Sequence, residues 1–91
     1  MSIGNDEAQR KIRNRLSRAR GQLDAVIAAL DDDASCRDVM TQLAAVTQAL
    51  NRAGFVIMTT AMQDCLTDPD AALEREGLTK EELEKLFLSF A

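Results

Sequence analysis

Apolar side chains recur at Ile12, Leu16, Ala19, Leu23, Val26, Ile27 and Leu30. Steps of mostly four and three residues place them on one stripe of an amphipathic helix, predicted from about residue 6 to 30. The polar run Asp31-Asp32-Asp33-Ala34-Ser35 then reads as a turn. Ser35 suits an N-cap, with Asp38 three residues on as its partner in a variant capping box. The next periodic run takes in Val39, Met40, Leu43, Val46, Leu50, Ala53, Ile57 and Ala61, and predicts a long helix over about 36–66. Pro69 stands against continuation, and the Asp- and Ala-rich stretch after it reads as a loop. Thr79 and Glu82 form a second capping box before a short helix carrying Leu83, Leu86, Phe87 and Phe90. No segment alternates with the period of a strand. The expected fold is all-α, a three-helix protomer of two long antiparallel helices and one short one, with residues 1–91 as a single domain.

Two long helices and a short one cannot enclose a core alone. The second helix is apolar or small around much of its circumference, through Ala44, Ala45, Ala49, Ala53, Gly54, Val56 and Met58. Such a helix needs more than one packing partner, and two-fold self-association is the simplest supply.

Composition narrows the chemistry. The 91 residues are 46% hydrophobic and 29% charged, as in an ordinary folded protein. Histidine is absent, which removes His-ligated metals and His-based acid–base catalysis. With neither Trp nor Tyr, base-stacking platforms are not expected. So small a chain with no convergent acid–base set is not expected to be an enzyme. The N-terminus lacks the apolar stretch of a signal peptide, and no run reaches the ~20 apolar residues of a membrane span. A cytoplasmic protein with reduced thiols is the expectation.

The net charge of −4 hides a strong asymmetry. Residues 1–23 carry +4, residues 24–63 carry −3 and residues 64–91 carry −5. Arg10, Lys11, Arg13, Arg15, Arg18 and Arg20 crowd eleven residues of the first helix, with no acidic residue between positions 8 and 23. Arginine is the better phosphate partner, so this segment is a candidate DNA-backbone contact; a solvated helix face is the competing reading. Asp31-Asp32-Asp33 lacks the alternating ligand spacing of a calcium loop.

Cys36 and Cys65 lie 29 residues apart, near opposite ends of the second helix. That is about 44 Å along the axis, beyond disulfide reach, yet within about 20° of the same helix face. An antiparallel two-fold pairing centred near Leu50–Asn51 sets Cys36 of one protomer beside Cys65 of another. Cys36 stands at the helix N-terminus beside Arg37, where thiolate is favoured; Cys65 stands in the last turn, where it is not. An attacking and a resolving thiol would fit this asymmetry, as would two inert buried cysteines.

The run Arg15-Leu16-Ser17-Arg18-Ala19-Arg20-Gly21-Gln22-Leu23 resembles the Arg-Leu-x-Arg-x-x-Gly-Gln motif of the CsoR/RcnR/FrmR family of bacterial repressors. Cys36 to Val46 and Ala49 to Gly54 are similar to the same family, and the likeness covers about residues 8–66. The resemblance implies a homotetramer, a dimer of dimers, that holds operator DNA while its sensor site is empty. It implies DNA-binding roles for Arg15, Arg18 and Arg52, and neighbouring Arg13 and Arg20 join them from the charge pattern. Copper-sensing members ligate Cu(I) with Cys, His and Cys; here the outer positions are Cys36 and Cys65, but the middle one is Ala61. Nickel and cobalt sensors need several histidines. Formaldehyde sensors carry Pro after the initiator Met, where this chain has Ser2. What remains resembles the persulfide-sensing CstR-type branch. That implies intersubunit di- to tetrasulfide formation between Cys36 and Cys65, triggered by persulfides or polysulfides, that releases operator DNA and derepresses sulfide-detoxification genes, with no metal or cofactor. The alternatives are a Cu(I) sensor with a thiolate-only site, Met62 being a possible third soft ligand, and a helical adaptor that binds no DNA.

Overall fold

In the computed structural model, which describes residues 3–90, α1 spans Asp6–Asp31 and α2 spans Cys36–Thr67. The Asn5 side chain accepts from the Ala8 N–H and opens α1; Ser35 does the same for α2 through the Asp38 N–H at 3.2 Å. The two helices fold back on each other as a hairpin. Ile12, Ala19 and Val26 are the buried positions of α1, seven residues apart, as befits one narrow seam against α2.

The stretch expected as a loop after Pro69 is helical. α3 runs over Pro69–Glu76 and α4 over Lys80–Leu88, so the described residues form four helices rather than three. The proline that stops α2 starts α3. At the first helical position its missing N–H has no intrahelical partner to lose. Asp68 caps the helix by accepting from the Ala71 N–H at 3.2 Å. Gly77 closes it in the left-handed region, at φ 74°. The capping box expected at Thr79 and Glu82 forms in both directions. The fold is all-α, with no strand among the described residues. Ser2 lies outside them.

Packing concentrates at one end. Met58, Ala61, Cys65, Ala72 and Leu83 form the buried cluster where α3 and α4 close on the C-terminal half of α2. Elsewhere α1 and α2 share only a thin seam, and their remaining apolar side chains stay open. Leu16, Leu23, Ile27 and Leu30 line the other edge of the α1 stripe, and Met40, Leu43 and Leu50 do so on α2, all at least 40% exposed. No large side chain is fully buried among the described residues. The Cα radius of gyration is 16.3 Å and the long dimension 52 Å. A compact chain of this length has a radius near 12 Å.

Candidate sensor thiols and basic helix

Cys36 is the first residue of α2 and is exposed. Cys65 sits in the last turn but two residues, is only 5% exposed, and packs with Met58, Ala61, Ala72 and Leu83. Both are free. The helix between them is continuous, so one protomer keeps its thiols at opposite ends, and no intrachain pair forms. Cys65 is not sealed off. It contributes to the wall of a groove of about 390 Å³ between α2, α3 and the start of α4, lined also by Leu66, Leu73, Leu78 and Lys80.

Ala61, one turn before Cys65 on the same face, is 4% exposed within the cluster. It offers a methyl group, which cannot ligate a metal. Met62 is half-buried and packs against the cluster, a side chain that fills space. Among the described residues no three His, Cys, Asp or Glu side chains converge in a metal-binding group. Within one protomer the two thiols stand at separate places, and the other soft atoms beside Cys65 are the thioethers of Met58 and Met62.

A third ionisable feature lies beside Cys65. The Asp64 carboxylate accepts from the Gly4 N–H at 3.2 Å, which ties the segment before α1 to the end of α2. Gly4 has φ +65°, and a Cβ there would come within 2.5 Å of the Thr60 methyl, so only glycine fits. Glu76, from the end of α3, meets Asp64, and its Oε1 is buried without a donor. Burial first, then the Asp64 charge, raise the Glu76 pKa above its ordinary 4.5, with Arg75 acting in the opposite direction.

The five arginines of α1 are all exposed, and among the described residues none pairs with a carboxylate. Lys11 pairs with Glu7 at 3.8 Å, one turn back. At about 100° per residue, Arg15 and Arg18 lie on one flank of the seam and Arg13 and Arg20 on the other. A shallow groove lined by Ile12, Arg13, Leu16 and Arg20 follows the second flank. The structure therefore divides the basic segment between two flanks instead of gathering it into one patch. Arg52 is exposed on α2, and the antiparallel hairpin brings it level with the Arg13–Arg15 turn.

The cover on Cys65 is not apparent from the sequence, because Pro69 reads as a breaker and the stretch after it as a loop. The signals of α3 are present: Asp68 before Pro69 as N-cap and first helical residue, and Gly77 eight residues on as a C-terminal stop.

No helix among the described residues is long and apolar enough to cross a membrane. No solved structure matches the chain. Residues 8–89 match the family described as metal-sensitive transcriptional repressor. A copper-sensing transcriptional repressor CsoR of Mycobacterium ulcerans is 43% identical over 61 residues, covering 67% of this chain and 52% of the relative. Proteins of the same name from Mycobacterium bovis and Mycobacterium tuberculosis are 39% identical over 64 residues, covering 70% of this chain and 52% of theirs. The chain thus spans about half the length of the curated relatives it matches. These are repressors, not enzymes. With a family match over nearly its full length and relatives this similar, the chain belongs to the CsoR family of metal-sensitive transcriptional repressors.

Proposed function

We propose that the protein is a DNA-binding transcriptional repressor that releases its operator when a soft, thiol-directed inducer joins Cys36 of one protomer to Cys65 of another. The family match over residues 8–89 carries the repressor reading. The unpaired arginines of α1, with Arg52 level with them, supply the phosphate contacts. The exposed apolar edges of α1 and α2 supply the subunit contacts, in a dimer or a dimer of dimers.

Cu(I) is the inducer that the named relatives favour, since all of those quoted are copper-sensing repressors. Two thiolates from different protomers make a linear site, which Cu(I) accepts. One observation favours a second reading: Ala61 cannot ligate, so the third donor of a copper site is missing. A site of two thiols alone also suits sulfur transfer. A persulfide RSSH would give its outer sulfur to the Cys36 thiolate, with RS⁻ leaving. Cys65 of the other protomer would then attack the Cys36 sulfur, form the intersubunit disulfide and expel HS⁻. If Cys65 carries a sulfur as well, the same displacement leaves a trisulfide. In either reading the link favours one arrangement of subunits over the one that fits DNA.

Binding to a GC-rich promoter duplex, followed by anisotropy against salt, tests the repressor reading; no binding at low salt leaves the helical adaptor instead. Intact-mass analysis after Cu(I) or glutathione persulfide tests the inducer. Copper held against a strong Cu(I) chelator selects the first reading, and covalent dimers with added sulfur select the second. Unmodified, copper-free monomers after both treatments would refute the sensor.

A further inference from the structure

The α2 face that carries both thiols is covered along only half its length. Its first half presents Cys36, Met40, Leu43 and Leu50, all exposed. Its second half presents Gly54, Met58, Ala61 and Cys65, all buried. The cover is the C-terminal arm. Ala72 of α3 and Leu83 of α4 are buried in the cluster around Cys65. The Phe90 ring lies over Gly54 so closely that a Cβ built there would meet it at 2.7 Å. Gly54 is therefore a seat shaped for Phe90, and any side chain would push the ring off.

The arm itself is lightly held. Both of its helices pack on α2, and neither is among the helices packed along α1. Each buries one residue, Ala72 in α3 and Leu83 in α4, while Leu73, Leu86 and Leu88 stay open and the half-exposed Phe87 ring meets Phe55 of α2 edge-on at 5.3 Å. One extended residue, Asp68 at φ −149° and ψ 90°, joins the arm to α2. A short unit with few buried apolar contacts and a single non-helical joint is where local opening has its lowest cost.

From this geometry we infer that residues 68–90 form a lid over Cys65, hinged at Asp68 and latched by Leu83 in the buried cluster and by Phe90 on Gly54, and that the thiol becomes fully reactive only when the lid lifts. With the lid down, Cys65 is 5% exposed, on the wall of the groove beside α3. Cys36 needs no such opening, being exposed in the protomer. In the proposed function, on which only this use of the lid rests, linking Cys36 to Cys65 and lifting the arm become one event. The inducer then favours the lifted conformation because only there can it hold both thiols.

The test needs neither DNA nor inducer. In C36S protein under native conditions, Cys65 is labelled with a bulky maleimide and the rate read by intact mass. The lid predicts slow labelling that F90A and G54A each accelerate by roughly tenfold or more, through the opening equilibrium, with far-UV helicity unchanged. Rates equal in all three proteins, or as fast as Cys36 in C65A, would overturn it. Hydrogen exchange on the unsubstituted chain is the second measurement, independent of how the variants fold. Amides of residues 69–88 should exchange together and well ahead of those at 43–60; protection equal to that of α2 would refute the lid. A lid that opens without any inducer-linked dimer would leave the lid standing and remove the sensor reading.

Discussion

Three residues decide what chemistry α2 can support. Cys36 is exposed at the helix start, Cys65 is buried near its end, and Ala61 presents only a methyl group beside it. Replacing either cysteine by serine is expected to abolish inducer-linked dimers on non-reducing gels while leaving DNA binding intact. Glu76 carries a separate prediction. Its raised pKa means that the folded chain keeps a proton the unfolded chain has lost, so stability falls as pH rises from about 4.5 through the raised value. Glu76→Gln removes that loss and offers Asp64 an N–H donor. Its melting temperature should exceed wild type by on the order of 2 °C at pH 7, with the gain vanishing below pH 4.5. An equal gain at both pH values would show that the carboxylate charge is not the cause.

At the scale of elements, capping determines which helices exist. α1 is legible from its apolar period alone, and α2 and α4 because period and N-cap agree, at Ser35 and at Thr79. α3 is not, because its eight residues hold too little apolar period to outweigh a proline read as a breaker. Its cap is the stronger signal. Asp68→Ala should cost about 1 kcal/mol, the usual worth of an N-cap, and show first as faster exchange in α3. Leu83→Ala should cost about 2–4 kcal/mol, since Leu83 is 3% exposed in the cluster that fixes α4 to α2. A loss below about 0.5 kcal/mol would mean that α4 is not anchored there.

The whole molecule is extended. Its radius of gyration of 16.3 Å and the bare edges of both long helices leave apolar surface open in the protomer, the surface that the proposed subunit contacts would cover. Sedimentation should therefore show an assembly larger than 10.0 kDa, and Leu50→Glu should weaken it; a wild-type monomer at micromolar concentration would count against the proposed function. Charge acts at this scale as well. The net −4 coexists with +4 over residues 1–23, so in the proposed DNA complex nonspecific repulsion and local attraction would compete. If Arg18 contacts phosphate, Arg18→Ala should lower the salt slope of binding by about one, uniformly across sequences. Arg13 and Arg20 lie on the opposite flank of α1, and comparing their slopes with those of Arg15 and Arg18 will show which flank meets DNA.

Helix period, caps, the charge split, the missing histidine and the shared face of the two cysteines could all be read along the chain, because each depends on residues within a few turns of one another. The burial of Cys65 and the exposure of Cys36 could not. Both occupy the same helix face, and periodicity treats them alike. What separates them is the arm of residues 68–90 folding back onto one half of that face and not the other. That choice rests on long-range fit: Leu83 in the cluster and Phe90 on Gly54. Packing of distant segments therefore made one thiol open and the other covered.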